Sequence, residues 1–212
     1  MTFYRFLAAG AMGPFSGRRW PTPIGGPAAW VVAGDAIADG PDGSRVCGVA
    51  QLPYWIADEL WRVEVDGALT ESATDVTAPR VRLVERVVGW DGDAGRDWAA
   101  ASVWRGRDAL AARLAADGHL DEAAQLHATM TLAPLSELAT RQETALANEI
   151  NTELADQLGV LGEAADEAEH AWVATALQSS MVAVAGWSPA GQLAERAWQA
   201  AWLAERLGLD ES

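Results

Sequence analysis

The chain contains no lysine; all 15 of its basic residues are arginines. Codon bias in a GC-rich coding genome accounts for such a replacement. It also removes the Gly-x-x-x-x-Gly-Lys-Ser/Thr phosphate loop from consideration. Cysteine is almost as scarce. Cys47 stands alone, so no intrachain disulfide forms. Any thiol nucleophile would have to be this one, with a base beside it to raise its thiolate fraction. An inert, buried Cys47 is the expectation.

Long apolar runs are missing too. None approaches the roughly 20 residues needed to span a bilayer. The opening Met1-Thr2-Phe3-Tyr4-Arg5-Phe6-Leu7 is too short and too aromatic for a secretory core. A cytoplasmic protein without a membrane partner is expected. Positive charge is in deficit, with a formal net charge of −15. That excludes a general phosphate-neutralising surface, so no nucleic-acid partner is expected. No dinucleotide fingerprint follows a strand, and Gly-x-Ser-x-Gly and His-Glu-x-x-His are absent. No cofactor is expected.

What is present changes character near Trp90. Before it the sequence is rich in Pro, Gly and β-formers; after it Ala, Leu and Glu dominate. The fold class expected is α+β: a small, mostly antiparallel sheet of four or five strands over about 1–90, packed with a C-terminal antiparallel bundle of about five helices. The domains expected are 1–92, rich in β, Trp, Pro and Gly, and 93–212, acidic and helical.

In the first half, residues 2–7 read as an edge or first strand, and Trp30 to Ala33 as a short one. Trp61, Val63 and Val65 alternate with Arg62, Glu64 and Asp66, the period-two pattern of a half-buried strand over Leu60 to Val65. Val76 to Val81 and Leu83 to Trp90 complete the strands. Leu52-Pro53-Tyr54-Trp55 opens a helical turn with Pro at its first position. In the second half, Asp93 or Asp97 caps a helix to about Ala116, and a second helix covers Leu120 to Leu132. Pro134 interrupts; a long helix then runs from Leu135 to Leu158, ended by Gly159. Its stripe is Leu138, Leu146, Ile150, Leu154, Leu158 and Leu161. A fourth runs from Glu163 to about Ala185. Ser188-Pro189 starts the last, with Leu193, Ala197, Trp198, Ala201 and Trp202 as its apolar stripe and Gly208 as its end.

Between Asp117 and Glu195, thirteen acidic residues stand against a single arginine, Arg141. Glu149, Glu153 and Asp156 share one helix face, as do Glu163, Glu167 and His170. Like charges at such spacings weaken a helix slightly. A docking face for a basic protein partner would use them; a solvated face would merely tolerate them. Glu167-Ala168-Glu169-His170 has the Glu-x-x-His spacing of bundle di-iron sites. Such sites need a second pair, which is missing, so no metal is expected and Glu167 and His170 are weak candidates. Eleven tryptophans are many for this length. Most belong in cores, and Tyr54-Trp55 beside Pro53 is the pair singled out as exposed and partner-binding.

Several blocks carry a family resemblance. Phe3-Tyr4-Arg5-Phe6-Leu7, Gly13-Pro14-Phe15-Ser16-Gly17-Arg18-Arg19-Trp20-Pro21, Leu52-Pro53-Tyr54-Trp55, Asp58 to Glu64, Ala78 to Val84 and the final Glu195-Arg196-Ala197-Trp198-Gln199-Ala200-Ala201-Trp202-Leu203 resemble an uncharacterised family of actinobacterial proteins. The resemblance carries no activity. The family's His-Ala-Cys ahead of Leu-Pro-Tyr-Trp reads Arg45-Val46-Cys47 here, which implies that any chemistry of that histidine is lost. The Ala-rich helices are also similar to the helical domain of bacterial immunity proteins.

The function expected is non-enzymatic: a protein-binding, immunity or assembly role for the acidic helical face, with Glu149, Glu153, Asp156, Tyr54 and Trp55 touching the partner. The alternative is an enzyme of unfamiliar class with an Arg- and Trp-lined site in the cleft between sheet and bundle. There Arg18, Arg19, Arg45 and Arg62 would bind an anion, and Arg45, Cys47 and Tyr54 are the catalytic candidates. A third possibility is a homodimer through Trp198 and Trp202.

Overall fold

The computed structural model describes residues 2–148 and 152–209. The fold is α+β. Two compact units divide the chain: 1–94 together with 200–212, and 95–199.

The first unit holds seven strands among its described residues: β1 (Phe3–Leu7), β2 (Val31–Val32), β3 (Ser44–Val46), β4 (Glu59–Asp66), β5 (Thr70–Glu71), β6 (Val76–Ala78) and β7 (Arg80–Arg86). They form two antiparallel sheets rather than one, a four-stranded sheet in the order β1-β4-β7-β2 and a three-stranded sheet in the order β3-β6-β5. β1 closes one side of the larger sheet. Its outer edge is not bare, because Tyr4 exchanges two 2.8 Å backbone hydrogen bonds with Cys47. The expected break between strands at Arg82 lies instead at Pro79, which has no N–H to give a ladder. Gly43 approaches this corner with φ of 133°, and a Cβ there would collide with the Ala78 carbonyl.

The alternation in β4 holds from Trp61 onward; Leu60, expected on the solvent-facing side, is fully buried, and the register shifts between Arg62 and Val63. Trp61 and Val63 join Phe3, Leu7, Trp20, Val81 and Leu83 in the core. On the other face, Arg62 pairs with Glu85, Glu64 with Arg82 and Asp66 with Arg80 across the β4–β7 register. Trp30 covers two of these arginines, its ring 4.8 Å from the Arg80 guanidinium and 4.5 Å from that of Arg82. The turn over Leu52 to Trp55 is part of a 3-10 helix, Val49–Tyr54, with Pro53 inside it rather than at its first position.

Among the described residues six α-helices follow: α1 (Gly92–Ala116), α2 (Leu120–Ala128), α3 (Leu132–Asn148), α4 (Thr152–Glu169), α5 (Val173–Ala185) and α6 (Pro189–Leu207). The cap of α1 is Asp91, not Asp93 or Asp97: its Oδ1 accepts from the N–H groups of Asp93 (3.1 Å) and Ala94 (2.8 Å). Pro134 does not interrupt a helix; it lies in the first turn of α3, where no N–H is needed. The single long helix over 135–158 is two helices. Gly159 lies within α4 and ends nothing. A Cβ on Gly159 would meet the Glu143 carboxylate at 2.8 Å, and one on Gly162 would meet Thr140 at 3.1 Å. As α4 rises, its contacts on α3 descend, so the pair is antiparallel and close. The leucine stripe is thus shared: Leu135, Leu138 and Leu146 on α3 face Leu154, Leu158 and Leu161 on α4. Ile150 lies outside the described residues.

The expected helix from Glu163 to Ala185 is also broken. Ala171, at φ 62°, turns the chain between α4 and α5. Trp172 N–H reaches the Glu167 carbonyl at 2.8 Å and Ala171 N–H that of Ala168 at 3.2 Å, a Schellman closure. The same closure ends α1 at Gly118 and α6 at Gly208, both with positive φ. Ser188 caps α6 as expected, its Oγ accepting from Gly191 N–H at 3.3 Å. The stripe expected on α6 is wrong: Leu193 is 62% exposed. The buried face is Glu195, Arg196, Gln199, Ala200 and Leu203, more polar than any hydropathy pattern reveals.

Ala171 carries a side chain where the backbone favours glycine. Ala171→Gly should stabilise the protein by about 1 kcal/mol, read as a rise in the urea midpoint with an unchanged slope.

Candidate functional site

Three places hold the residues singled out from the sequence. The first surrounds Arg45. Beneath it, Arg5 and Asp39 form a bidentate ion pair at 2.7 and 2.8 Å, with side chains only 3% and 4% exposed. Asp39 also accepts from Arg45 N–H at 2.6 Å, and Arg5 donates to the Arg45 carbonyl. The Trp20 ring stacks 4.2 Å from the Arg5 guanidinium. One buried pair therefore ties β1, the loop at Asp39, β3 and the Trp20 loop together. Asp39 was not legible as a partner, because 34 residues separate it from Arg5.

The Arg45 side chain lies above this pair, its guanidinium 5.2 Å from the Phe15 ring and 5.5 Å from the Trp55 ring. Tyr54 and Trp55 are half-buried rather than exposed. Trp55 is fixed by its indole N–H, 2.6 Å from the Thr74 carbonyl oxygen. Cys47 is buried, and burial pushes its thiol up to about 12, with only partial relief from Arg5. It is a protonated thiol at neutral pH, not a ready nucleophile. Arg45, Cys47 and Trp55 line one cavity of about 20 Å³.

The second place is the acidic helical face. Glu149 lies outside the described residues. Glu153 and Asp156 stand exposed on α4. Glu153 lines an open groove of about 780 Å³ with Arg113, Asp117, Gln157, Trp187 and Ser188, well inside the roughly 300–1,000 Å³ of ligand-sized clefts. Asp117 comes from the α1–α2 turn and Trp187 from the α5–α6 turn, so three helix ends build it. Arg113 is already engaged by Gln157 and by the Val184 carbonyl (2.7 Å). Trp187 is 69% exposed. Sequence reasoning passed over it; the only signal was a large aromatic between Gly186 and the Ser188 cap.

The third place is the Glu167–His170 pair. Glu167 accepts from Ser179 Oγ at 2.9 Å, while His170 Nδ1 lies 2.8 Å from the Asp166 carbonyl oxygen. Each side chain thus has a separate protein partner. Among the described residues no group of three or more His, Cys, Asp or Glu is placed to hold a metal ion, and no helix is long and apolar enough to cross a membrane.

A fourth group was unanticipated. Glu195 is 1% exposed on α6, with one oxygen 2.6 Å from Arg105 Nε. Its other oxygen, Oε1, has no hydrogen-bond partner among the described residues. Desolvation raises its pKa, against the opposing pull of Arg105 and Arg196. Arg105 in turn stacks 4.8 Å from the Trp198 ring, which accounts for Trp198 within this unit.

No family model, no curated protein and no solved structure matches the chain.

Two outcomes follow from these charges. Asp39→Ala leaves Arg5 buried and unpaired and should cost about 3–5 kcal/mol in urea unfolding, whereas Asp66→Ala, on an exposed pair, should cost about 1 kcal/mol or less. Glu195 binds its proton more tightly folded than unfolded. Its contribution is therefore fully present below the usual carboxylate range and is lost as pH rises through the raised value. Glu195→Gln, neutral at every pH, should raise Tm at neutral pH and give no gain in acid below that range.

Proposed function

We propose that this is a non-enzymatic protein-binding module, of an immunity or assembly type, whose acidic helical face takes a basic protein segment. The groove beside Glu153 carries the reading. It combines ligand-sized volume, a largely exposed Trp187 and the carboxylates of Asp117 and Glu153. Its one arginine, Arg113, is committed to protein acceptors, which leaves the local charge acidic. Exposed aromatics paired with charge are what protein-binding surfaces favour, and complementary charge speeds encounter. The net charge of −15 suits the same partner and opposes nucleic acid. A cytoplasmic setting is part of this proposal.

Membership of the actinobacterial family is proposed on the same footing. The resembling blocks at Phe3 to Leu7, Gly13 to Pro21, Leu52 to Trp55, Asp58 to Glu64 and Ala78 to Val84 all belong to one compact unit. That unit also takes the chain from Ala200 onward, which includes the end of the last block. Blocks that fold together are what a family module would keep together.

The enzyme alternative draws less support. Its candidates Arg45 and Cys47 share a cavity, but the thiol is protonated and the cavity of about 20 Å³ admits little more than one water. A homodimer through Trp198 also draws less, since that ring already faces Arg105.

The test is capture of a native partner at low and high salt by the intact protein, by Glu153→Arg/Asp156→Arg and by Trp187→Ala. One basic protein retained at low salt, released at high salt and lost by both variants is the expected result. Undiminished capture by both variants would remove this face from the reading.

A further inference from the structure

We infer that Arg45, with Arg5 beneath it, forms a binding site for a small carboxylate in the β-rich unit, independent of the acidic groove. Arg45 is held on three sides. Its backbone N–H and carbonyl are fixed by Asp39 and Arg5. Its guanidinium lies within cation–π range of Phe15 and Trp55. Those two rings meet edge to face at 5.7 Å. Yet its charge is poorly spent. The ion pair with Asp75 is long, at 3.6 Å, and the side chain is 46% exposed, whereas charge-assisted N–H···O bonds run at about 2.7–2.9 Å. A planar fork, preorganised by stacking and open to solvent, is the arrangement that receives a carboxylate edge-on.

The second observation lies below. The cavity of about 20 Å³ is lined by Arg5, Phe6, Pro14 and Cys47 as well as the clamp itself. That volume holds one water-sized atom. Arg5 spends Nη1 and Nη2 on Asp39 and the Arg45 carbonyl. Its Nε is buried and, among the described residues, has no hydrogen-bond partner. Buried donors are almost always satisfied, and Arg5 lines this cavity, so the inferred site gives its one water-sized space to an acceptor oxygen for that donor. A carboxylate supplies it: one oxygen accepts a hydrogen bond from Arg5 Nε–H, the other meets the Arg45 fork, and the organic remainder lies on Phe15 and Pro14. A phosphate fits worse. It brings more oxygens and more charge than one donor cavity and apolar walls can satisfy, with Asp75 and Asp39 close by.

The carboxylate belongs either to a free aromatic acid or to a peptide C-terminus, and the probes separate the two. The intact protein is titrated with sodium benzoate, N-acetylphenylalanine, benzamide and inorganic phosphate, following the Trp55 indole resonance. The resonance is assigned with Trp55→Phe. Saturable shifts with one or both acids and none with benzamide are expected, the tighter acid naming the source. Arg45→Gln, which keeps hydrogen-bonding capacity without charge, should weaken binding roughly tenfold or more. Should that variant lose its fold by circular dichroism, Phe15→Leu, altering a ring that is 54% exposed, should weaken binding several-fold. No saturable shift with either acid, equal binding by a folded Arg45→Gln, or phosphate binding as tightly as carboxylate would overturn the site, leaving Arg5 Nε to a structural water.

Discussion

The buried pair of Arg5 and Asp39 is the constraint on which the β-rich unit depends. A guanidinium 3% exposed is tolerable only because a carboxylate, a carbonyl and an indole ring surround it. Each of those groups comes from a different segment. Asp39 comes from a turn-rich loop, the carbonyl from Arg45 in the middle of a three-residue strand, and the ring from Trp20 in a stretch broken by Pro and Gly. Short strands such as β3 and β6 bury little on their own. A charge that must be satisfied fixes where they stand, and it fixes the Arg45 backbone with them. The solvent-facing Arg45 clamp is thus built on a buried electrostatic requirement rather than on hydrophobic packing alone.

The helical unit solves a different problem. Its helices are rich in Ala and carry glycine at a few contact positions, so they gain contact by close approach. Gly159 and Gly162 let α4 lie against α3, and Gly106 lets α1 meet Leu161 and Ala183. Close helices leave little room at their ends, and the chain reverses through tight left-handed closures at Gly118 and Ala171. The groove beside Glu153 opens where such ends meet. Acidic side chains that would repel one another in a core are kept on exposed positions, among them Glu153 and Asp156. Arg105 and Arg196 are drawn to the buried Glu195 instead.

How much of this could be read from the sequence depended on whether one period told the whole story. β4 was legible because, from Trp61 to Asp66, one face is more buried than the other, although Glu59, Leu60 and Trp61 are all buried at its start. The α+β class was legible because composition shifts at Trp90. The α3–α4 division was not. Leucines continue at near-helical spacing from Leu138 through Leu154 to Leu158, so periodicity does not register that the chain has reversed. Gly159 resembles a terminator yet serves as a packing glycine. Ala171 hides a turn behind a helix-favouring residue. On α6, hydropathy points to Leu193, while the buried face carries Glu195, Arg196 and Gln199, whose partners no local pattern discloses. Of the site residues, Arg45 and Glu153 were singled out from sequence. Asp39 and Trp187 were not, since each matters through residues distant in the chain.

The missing lysines acquire a physical meaning in this light. Five of the 11 tryptophans lie against an arginine: Trp20 with Arg5, Trp30 with Arg80 and Arg82, Trp55 with Arg45, Trp104 with Arg107, and Trp198 with Arg105. In most of these the same guanidinium also pairs with a carboxylate: Arg5 with Asp39, Arg80 with Asp66, Arg82 with Glu64, Arg107 with Asp108 and Arg105 with Glu195. Only a planar, delocalised cation can stack on a ring through its face while its edge donates to an anion. An ammonium group, compact and strongly hydrated, would have to give up one contact or the other. Stacking and pairing together explain why lysine would not serve in place of arginine at these positions. Arg45 is the member of the series whose ring contacts are made and whose anion, Asp75, is too far away to finish the pairing.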